Sequence, residues 1–261
     1  MPRKEKRESL ALDVEALRRR LGPVKVALIE QWIREVNGPF DAVIAANMVP
    51  GALVLDMGCS RGDPDLPAMR QGRLLVGCDI DLRGLRANQI AGGCVAAPMH
   101  QLPFQDETFD LIVAKWVAEH LPAPRHDFLE CHRVLKQGGV FVLLTPNAWS
   151  PFTWLSRVVP YAAKRVFKHH VLGVHEEDTF RTWYRANTRR RLAWLGGQAG
   201  FQEMAFQLLP GMWTFFIFQR RLALTVRGLE HVAARLPGAA ALTTHIIMVC
   251  QKRQGENEDG L

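Results

Sequence analysis

The chain has 261 residues, an apolar fraction of 48% and a formal charge of +7 at neutral pH. That length suits one large domain with embellishments, and that composition excludes a disordered body. Its cysteines, at 59, 78, 94, 131 and 250, are widely spaced with no CxxC pair, which argues against a zinc site and a disulfide framework and fits a reducing cytoplasm.

In chain order, residues 10–36 carry apolar side chains at helical spacing, interrupted by Gly22-Pro23, so two amphipathic helices are predicted within an N-terminal extension spanning 1–49. Pro50-Gly51 signals a turn, and 52–55 reads as a buried parallel strand because it is a short aliphatic run without polar alternation. The run ends in "DMGCSRG", where Asp56 puts an acceptor at the carboxyl end of a strand and Gly58 and Gly62 allow a sharp turn or the close approach of another molecule. A second strand is predicted over 74–78, ending at Asp79, then a helix over 81–88 and a short strand over 94–97.

Further strands fall at 109–115 and 140–145, separated by a helix at 125–135 and the turn "KQGG", whose glycines suit a left-handed helix cap. Strands alternating with helices predict an α/β fold with a doubly wound, mostly parallel sheet. After Pro146 the periodicity fades into a stretch rich in aromatics, prolines and histidines. "NTRRRLAWLGGQAGF" then reads as a helix capped by Thr188, and 201–208 and 245–251 as final strands, with a helical pattern in "RRLALTVRGLEHVAARL" between them. Only the polar ends, about 1–9 and 252–261, are predicted to be disordered.

A strand, a glycine turn and an acid closing the next strand describe several nucleotide-like sites. The order Gly58, Ser60, Gly62 departs from GxGxxG and no GxxxxGK[ST] is present, which leaves a ligand with a ribose but no phosphate, its diol accepted by Asp79. With "VLDMGCSRG", "VGCDIDLRGLRAN", "LPFQDETFDLIVAKWVAEHL", "ECHRVLKQGGVFVLLTPN" and "RANTRRRLAWLGGQAGF" in order, the chain resembles the class I S-adenosylmethionine-dependent methyltransferases of the type 11 group.

The resemblance is dense from about residue 50 to 147 and thinner beyond. It implies a Rossmann-like sheet of seven strands, a methyltransferase domain over 50–252, a helical and aromatic lid inserted after the fifth strand (147–187, with 211–236 as a second acceptor segment) and a tail at 253–261. It also implies S-adenosyl-L-methionine as cofactor. The turn from Gly58 through Ser60 to Gly62 would lie against its methionine part, Asp56 near its amino group, Asp79 on the ribose and Ile80 against adenine, with Lys115 and Trp116 running beneath. One departure stands out: many relatives carry an aspartate for the adenine amino group where this chain has Pro98, which leaves Met99, or the nearby His100, to meet the adenine edge.

Methyl transfer from a sulfonium needs alignment, exclusion of water and, for a hydroxyl acceptor, a base. His120 and His175 are the candidates, within a lid that also holds His169, His170, Glu176, Glu177, Asp178, Trp183 and Tyr184; no metal is expected. Asn147 is expected at the mouth of the sheet, touching acceptor or closing the loop. The expected reaction is O-methylation of a small-molecule, lipid-linked or saccharide acceptor. The basic runs "PRKEKRE", Arg18-Arg19-Arg20 and Arg189-Arg190-Arg191 support RNA as the rival acceptor, and a non-catalytic cofactor-binding protein is the other alternative. No apolar run reaches the roughly 18 residues of a membrane span, so the expectation is a cytoplasmic protein, with "MWTFFIFQRRLALTVRGLEHVAARL" as a possible peripheral membrane contact.

Overall fold

The computed structural model describes residues 22–151, 153–154, 180–211, 213, 216, 219–233 and 243–253. The first predicted helix and residues 155–179 lie outside them. The second helix, α1 (Pro23–Ala46), runs on past the predicted end at 36 and through Pro39. Pro39 removes one hydrogen bond, but Val36, Phe40 and Ile44 recur every fourth residue and are all buried on the sheet, so burial outweighs the missing bond.

From β1 (Leu53–Met57) the chain alternates strand and helix: β2 (Leu74–Asp79), α2 (Leu82–Ala87), β3 (Gly93–Ala96), β4 (Phe109–Lys115), α3 (Pro124–Val134) and β5 (Leu135–Pro146). After the segment beyond β5 come α4 (Arg189–Ala199), β6 (Phe201–Leu209), α5 (Arg220–Ala233) and β7 (His245–Lys252). The seven strands form one sheet in the order β3-β2-β1-β4-β5-β7-β6, with β7 antiparallel to both neighbours. The strand order reverses between β1 and β4, and ligands of such sheets sit outside the carboxyl ends of the strands at that switch point.

β4 shows why the sheet is covered on both sides. Its Ile112 and Ala114 join the apolar layer of Phe128, Phe141, Leu192 and Leu195, beneath α3 and α4, while Leu111 and Val113 join Phe40, Ile44, Val142 and Ile247, beneath α1. Phe104 meets Phe109 edge-on at 4.8 Å, anchoring the approach to β4. Asp110 braces the start of the sheet, accepting from the Leu53 N–H at 2.8 Å and from Lys136 Nζ.

Two boundaries differ from the sequence reading. β1 continues to Met57, past the expected end at residue 55, so Asp56 lies inside the sheet, in register with Gly77 and Val113. "KQGG" is a bulge within β5: Leu135 pairs with Phe109, Gly138 takes φ 74, and pairing resumes at Val140 with Leu111. Asn147 is 2% exposed; its Nδ2 donates to the Thr243 carbonyl at 3.0 Å and its Oδ1 accepts from the Trp149 N–H, so it closes the end of β5 onto the chain entering β7. Asn147→Ala takes the amide donor from a buried carbonyl and is expected to lower the unfolding free energy by about 1–3 kcal/mol, read from the urea midpoint.

Candidate active site

The turn after β1 is built by backbone hydrogen bonds. The Gly58 N–H donates to the Cys78 carbonyl at 2.7 Å, and the Gly62 N–H closes back on Cys59. Gly58 has φ 69, and a Cβ there would stand 2.3 Å from Val117 Cγ2, so neither the conformation nor the space admits a side chain. Asn88, at the end of α2, donates to the Ser60 carbonyl at 3.1 Å and pins the turn from the far side.

Asp79 is oriented by two main-chain donors: the Ser60 N–H on Oδ2 at 2.8 Å and the Asp81 N–H on Oδ1 at 2.9 Å. Each oxygen keeps further acceptor capacity, which suits a pair of adjacent hydroxyls. Next to it Ile80 is 60% exposed, an apolar surface flanking the carboxylate. Lys115, at the end of β4, pairs with Asp63.

Asp56 is buried behind this group, and its carboxyl is pushed up to about 8, first by burial and then by the Asp63 and Asp79 carboxylates, with Lys115 acting in the opposite sense. At neutral pH it holds a proton.

Trp116 sits at φ 59, hydrogen-bonded through its N–H to the Leu144 carbonyl, and its ring meets His245 edge-on at 4.9 Å. Burial and the nearby Lys115 push His245 down to about 3, so this imidazole is neutral. Sequence reasoning missed His245: it opens β7, and it reaches Trp116 only because antiparallel pairing sets it opposite Pro146.

The structure thus gathers Asp56, Gly58, Ser60, Gly62, Asp79, Lys115 and Trp116 at the carboxyl ends of β1, β2 and β4. Met99 is different. Its side chain is committed to the core beside Leu102, leaving only its backbone for a ligand, because the residue after Pro98 points into the layer under α3. His100 is exposed and lies 3.9 Å from the buried Asp127, whose carboxyl burial pushes up to about 6.

His120 lies in the turn after β4, its Nδ1 2.9 Å from the Arg181 carbonyl and its ring edge-on to Phe180 at 5.9 Å. A carbonyl can only accept, so Nδ1 carries a hydrogen, while Nε2 lies 3.9 Å from the Glu119 carboxylate. Beside it Glu119 is buried, accepting from Thr145 Oγ1, which in turn accepts from Asn187 Nδ2 at 2.6 Å. The Trp183 and Tyr184 N–H groups both donate to the Glu119 carbonyl. His175, with His169, His170, Glu176, Glu177 and Asp178, lies outside the described residues. Among the described residues no group of three or more His, Cys, Asp or Glu is placed to hold a metal.

The sequence pattern of the family described as "Methyltransferase domain" matches residues 55–143. A demethylmenaquinone methyltransferase of Streptomyces avermitilis is 28% identical over 190 residues, 69% of this chain and 78% of the relative. A ubiquinone biosynthesis O-methyltransferase of Roseobacter denitrificans is 28% identical over 57% of this chain and 62% of its own length. An uncharacterized methyltransferase of Synechocystis is 30% identical over 62% of this chain and 72% of its own length. The chain is a class I S-adenosylmethionine-dependent methyltransferase.

The donor set of this methyltransferase fits its cofactor, S-adenosyl-L-methionine. The Asp79 carboxylate, fixed by two main-chain N–H groups, would suit the ribose diol, the exposed Ile80 would offer an apolar surface to the flat base, and the turn from Gly58 to Gly62, packed closely on Val117 and Ile90, would border the methionine portion. Bound there, S-adenosylmethionine supplies a methyl group on a sulfonium that leaves without acid assistance. A cation next to Asp56 favours its charged form, so binding is expected to release a proton and to tighten as pH rises from about 6.5 to 8.5. Calorimetry in buffers of different ionisation enthalpy measures both effects, and Asp56→Asn is expected to abolish the pH dependence and weaken binding about tenfold. The folded pKa lies above the ordinary aspartate value of 3.8, so Asp56 contributes stability below about pH 4 that is lost as pH rises through 8. The melting temperature of Asp56→Asn is therefore expected to exceed the wild type's at pH 9.

Proposed function

We propose that this methyltransferase transfers the methyl group to a hydroxyl of a small apolar or lipid-linked ring compound, of the kind the quinone names of its relatives suggest. The observation that carries the reading is a groove of about 780 Å³ at the carboxyl end of β5, walled by Trp149, Trp154, Tyr184 and Trp194 with Arg190 and Arg191. Trp149 and Trp154 are 68% and 63% exposed, and indoles left in water at such a density belong to surfaces that bind apolar rings. The groove adjoins the cofactor side through Tyr184, whose N–H is bonded to the Glu119 carbonyl in the turn after β4.

In this reading Asp79 accepts the ribose hydroxyls, Ile80 and the Met99 backbone border the adenine, and Asp56 answers the amino group directly or through water. Gly58, Ser60 and Gly62 border the methionine chain, and Lys115 with Trp116 floors the site. Pro98 leaves the adenine amino group without the usual carboxylate. The chain's part in the reaction is to hold the acceptor oxygen in line with the sulfonium, to keep water out, and to take one proton at His120 Nε2 as the new O–C bond forms and the C–S bond breaks.

Incubation with methyl-labelled cofactor and a panel of quinols, alcohols and saccharides tests this reading. The label is expected in a phenolic ring compound. Trp149→Ala and Trp194→Ala are expected to raise KM for that acceptor several-fold while cofactor affinity holds, and His120→Ala to lower kcat about 100-fold. Label recovered in RNA, with binding that weakens steeply in salt, would favour a nucleic-acid acceptor instead.

A further inference from the structure

We propose that the outer face of α5 is a docking surface for an anionic lipid bilayer. The inner face of this helix is accounted for: Ala223 is fully buried against Leu28 and Trp213, Val226 packs beside them, and Arg227 is paired with Glu35 at 2.6 Å. On the outer face Leu222, Leu229 and Val232 follow helical spacing and are 40%, 65% and 62% exposed, with Leu224 exposed at the flank. Three large aliphatic side chains in one stripe are more than the isolated apolar residue any surface carries.

Among the described residues of α5 the exposed charge has one sign. Glu230 is the only acid in α5, and it is buried, accepting from the Gly211 and Trp213 N–H groups at 3.0 Å each. Arg220 and Arg221 are both exposed in the first turn, which has no acidic residue. Cations are unfavourable at the positive end of a helix dipole, so this placement costs stability that an external anion would restore. A second copy of the chain, related by a two-fold axis, would bring like charges together, whereas lipid phosphates complement the arginines while the aliphatic stripe enters the acyl boundary.

The position of the helix links this surface to the site. Glu230 holds Gly211, where a Cβ would come within 2.9 Å of the His245 ring, and that ring contacts Trp116. No described helix is long and apolar enough to cross a membrane, so the contact is a peripheral one. The inference is independent of the acceptor reading: a water-soluble acceptor would leave it intact.

Cosedimentation of the full chain with sucrose-loaded vesicles tests it, using phosphatidylcholine alone or with about 30% phosphatidylglycerol. The wild type is expected to sediment with the anionic vesicles and to be released by about 0.5 M salt. The double variants L229E/V232E and R220Q/R221Q are each expected to lower the partition coefficient about tenfold. Calorimetric binding of S-adenosylmethionine by both variants establishes that they are folded. Equal partition of wild type and folded variants would overturn the proposal, since the other basic segments would then be responsible, as would equal partition on neutral and anionic vesicles. Light scattering covers the alternative: a wild-type dimer that ignores vesicles and becomes a monomer in L229E/V232E assigns the face to self-association.

Discussion

Asp56 keeps a carboxyl group inside a parallel sheet, and the unfavourable free energy of that burial shapes its surroundings. A charge there would lose its hydration, so the group stays protonated until something positive comes close. The nearest ammonium, on Lys115, is paired with Asp63, and the second acid, Asp79, is fixed by main-chain donors at the edge of the crevice. The Asp63 and Asp79 carboxylates hold the proton on Asp56 against the pull of Lys115. A sulfonium with an attached ammonium group, bound beside Asp56, would draw that proton off.

The meeting of Gly58, Asp79 and Ile80 at one edge of the sheet was legible in the sequence because it is local. Gly58, Asp79 and Ile80 belong to two consecutive strand ends, and a parallel connection returns each strand end to the same edge of the sheet. The cap of α4 was legible for the same reason: Thr188 accepts from the Arg191 N–H only three residues on. What could not be read depended on contacts between distant segments. The length of α1 is set by the sheet it packs on, and the inward turn of Met99 by the layer beneath α3. Met57 extends β1 because both neighbouring strands pair with it, so Asp56, expected at the end of the strand, is buried within it.

The acceptor side is legible only in parts, and the reason is again range. His245 reaches Trp116 through the pairing of β5 with β7, and Glu35 meets Arg227 and Trp213 across the gap between α1 and α5. No spacing rule connects such residues. The histidine-rich run that drew notice in the sequence lies largely outside the described residues, whereas the tryptophans flanking it, at 149, 154 and 194, form a groove that composition alone did not locate.

Both borders of that run are firmly held. On one side Asn147 is bonded to Thr243; on the other the Asn187 carbonyl accepts from the Ala148 N–H, its side chain reaches Thr145, and Trp183 and Tyr184 are bonded to Glu119. Residues 148 and 187 therefore meet as the closed neck of a loop, whatever lies between them. The entropy of closing a loop grows only slowly with length, by about 0.6 kcal/mol for each doubling. Evolution can thus lengthen, shorten or replace the stretch above this neck at small thermodynamic cost while the sheet and the cofactor end stay as they are. The neck thus separates the variability of one segment from the integrity of the sheet that carries it.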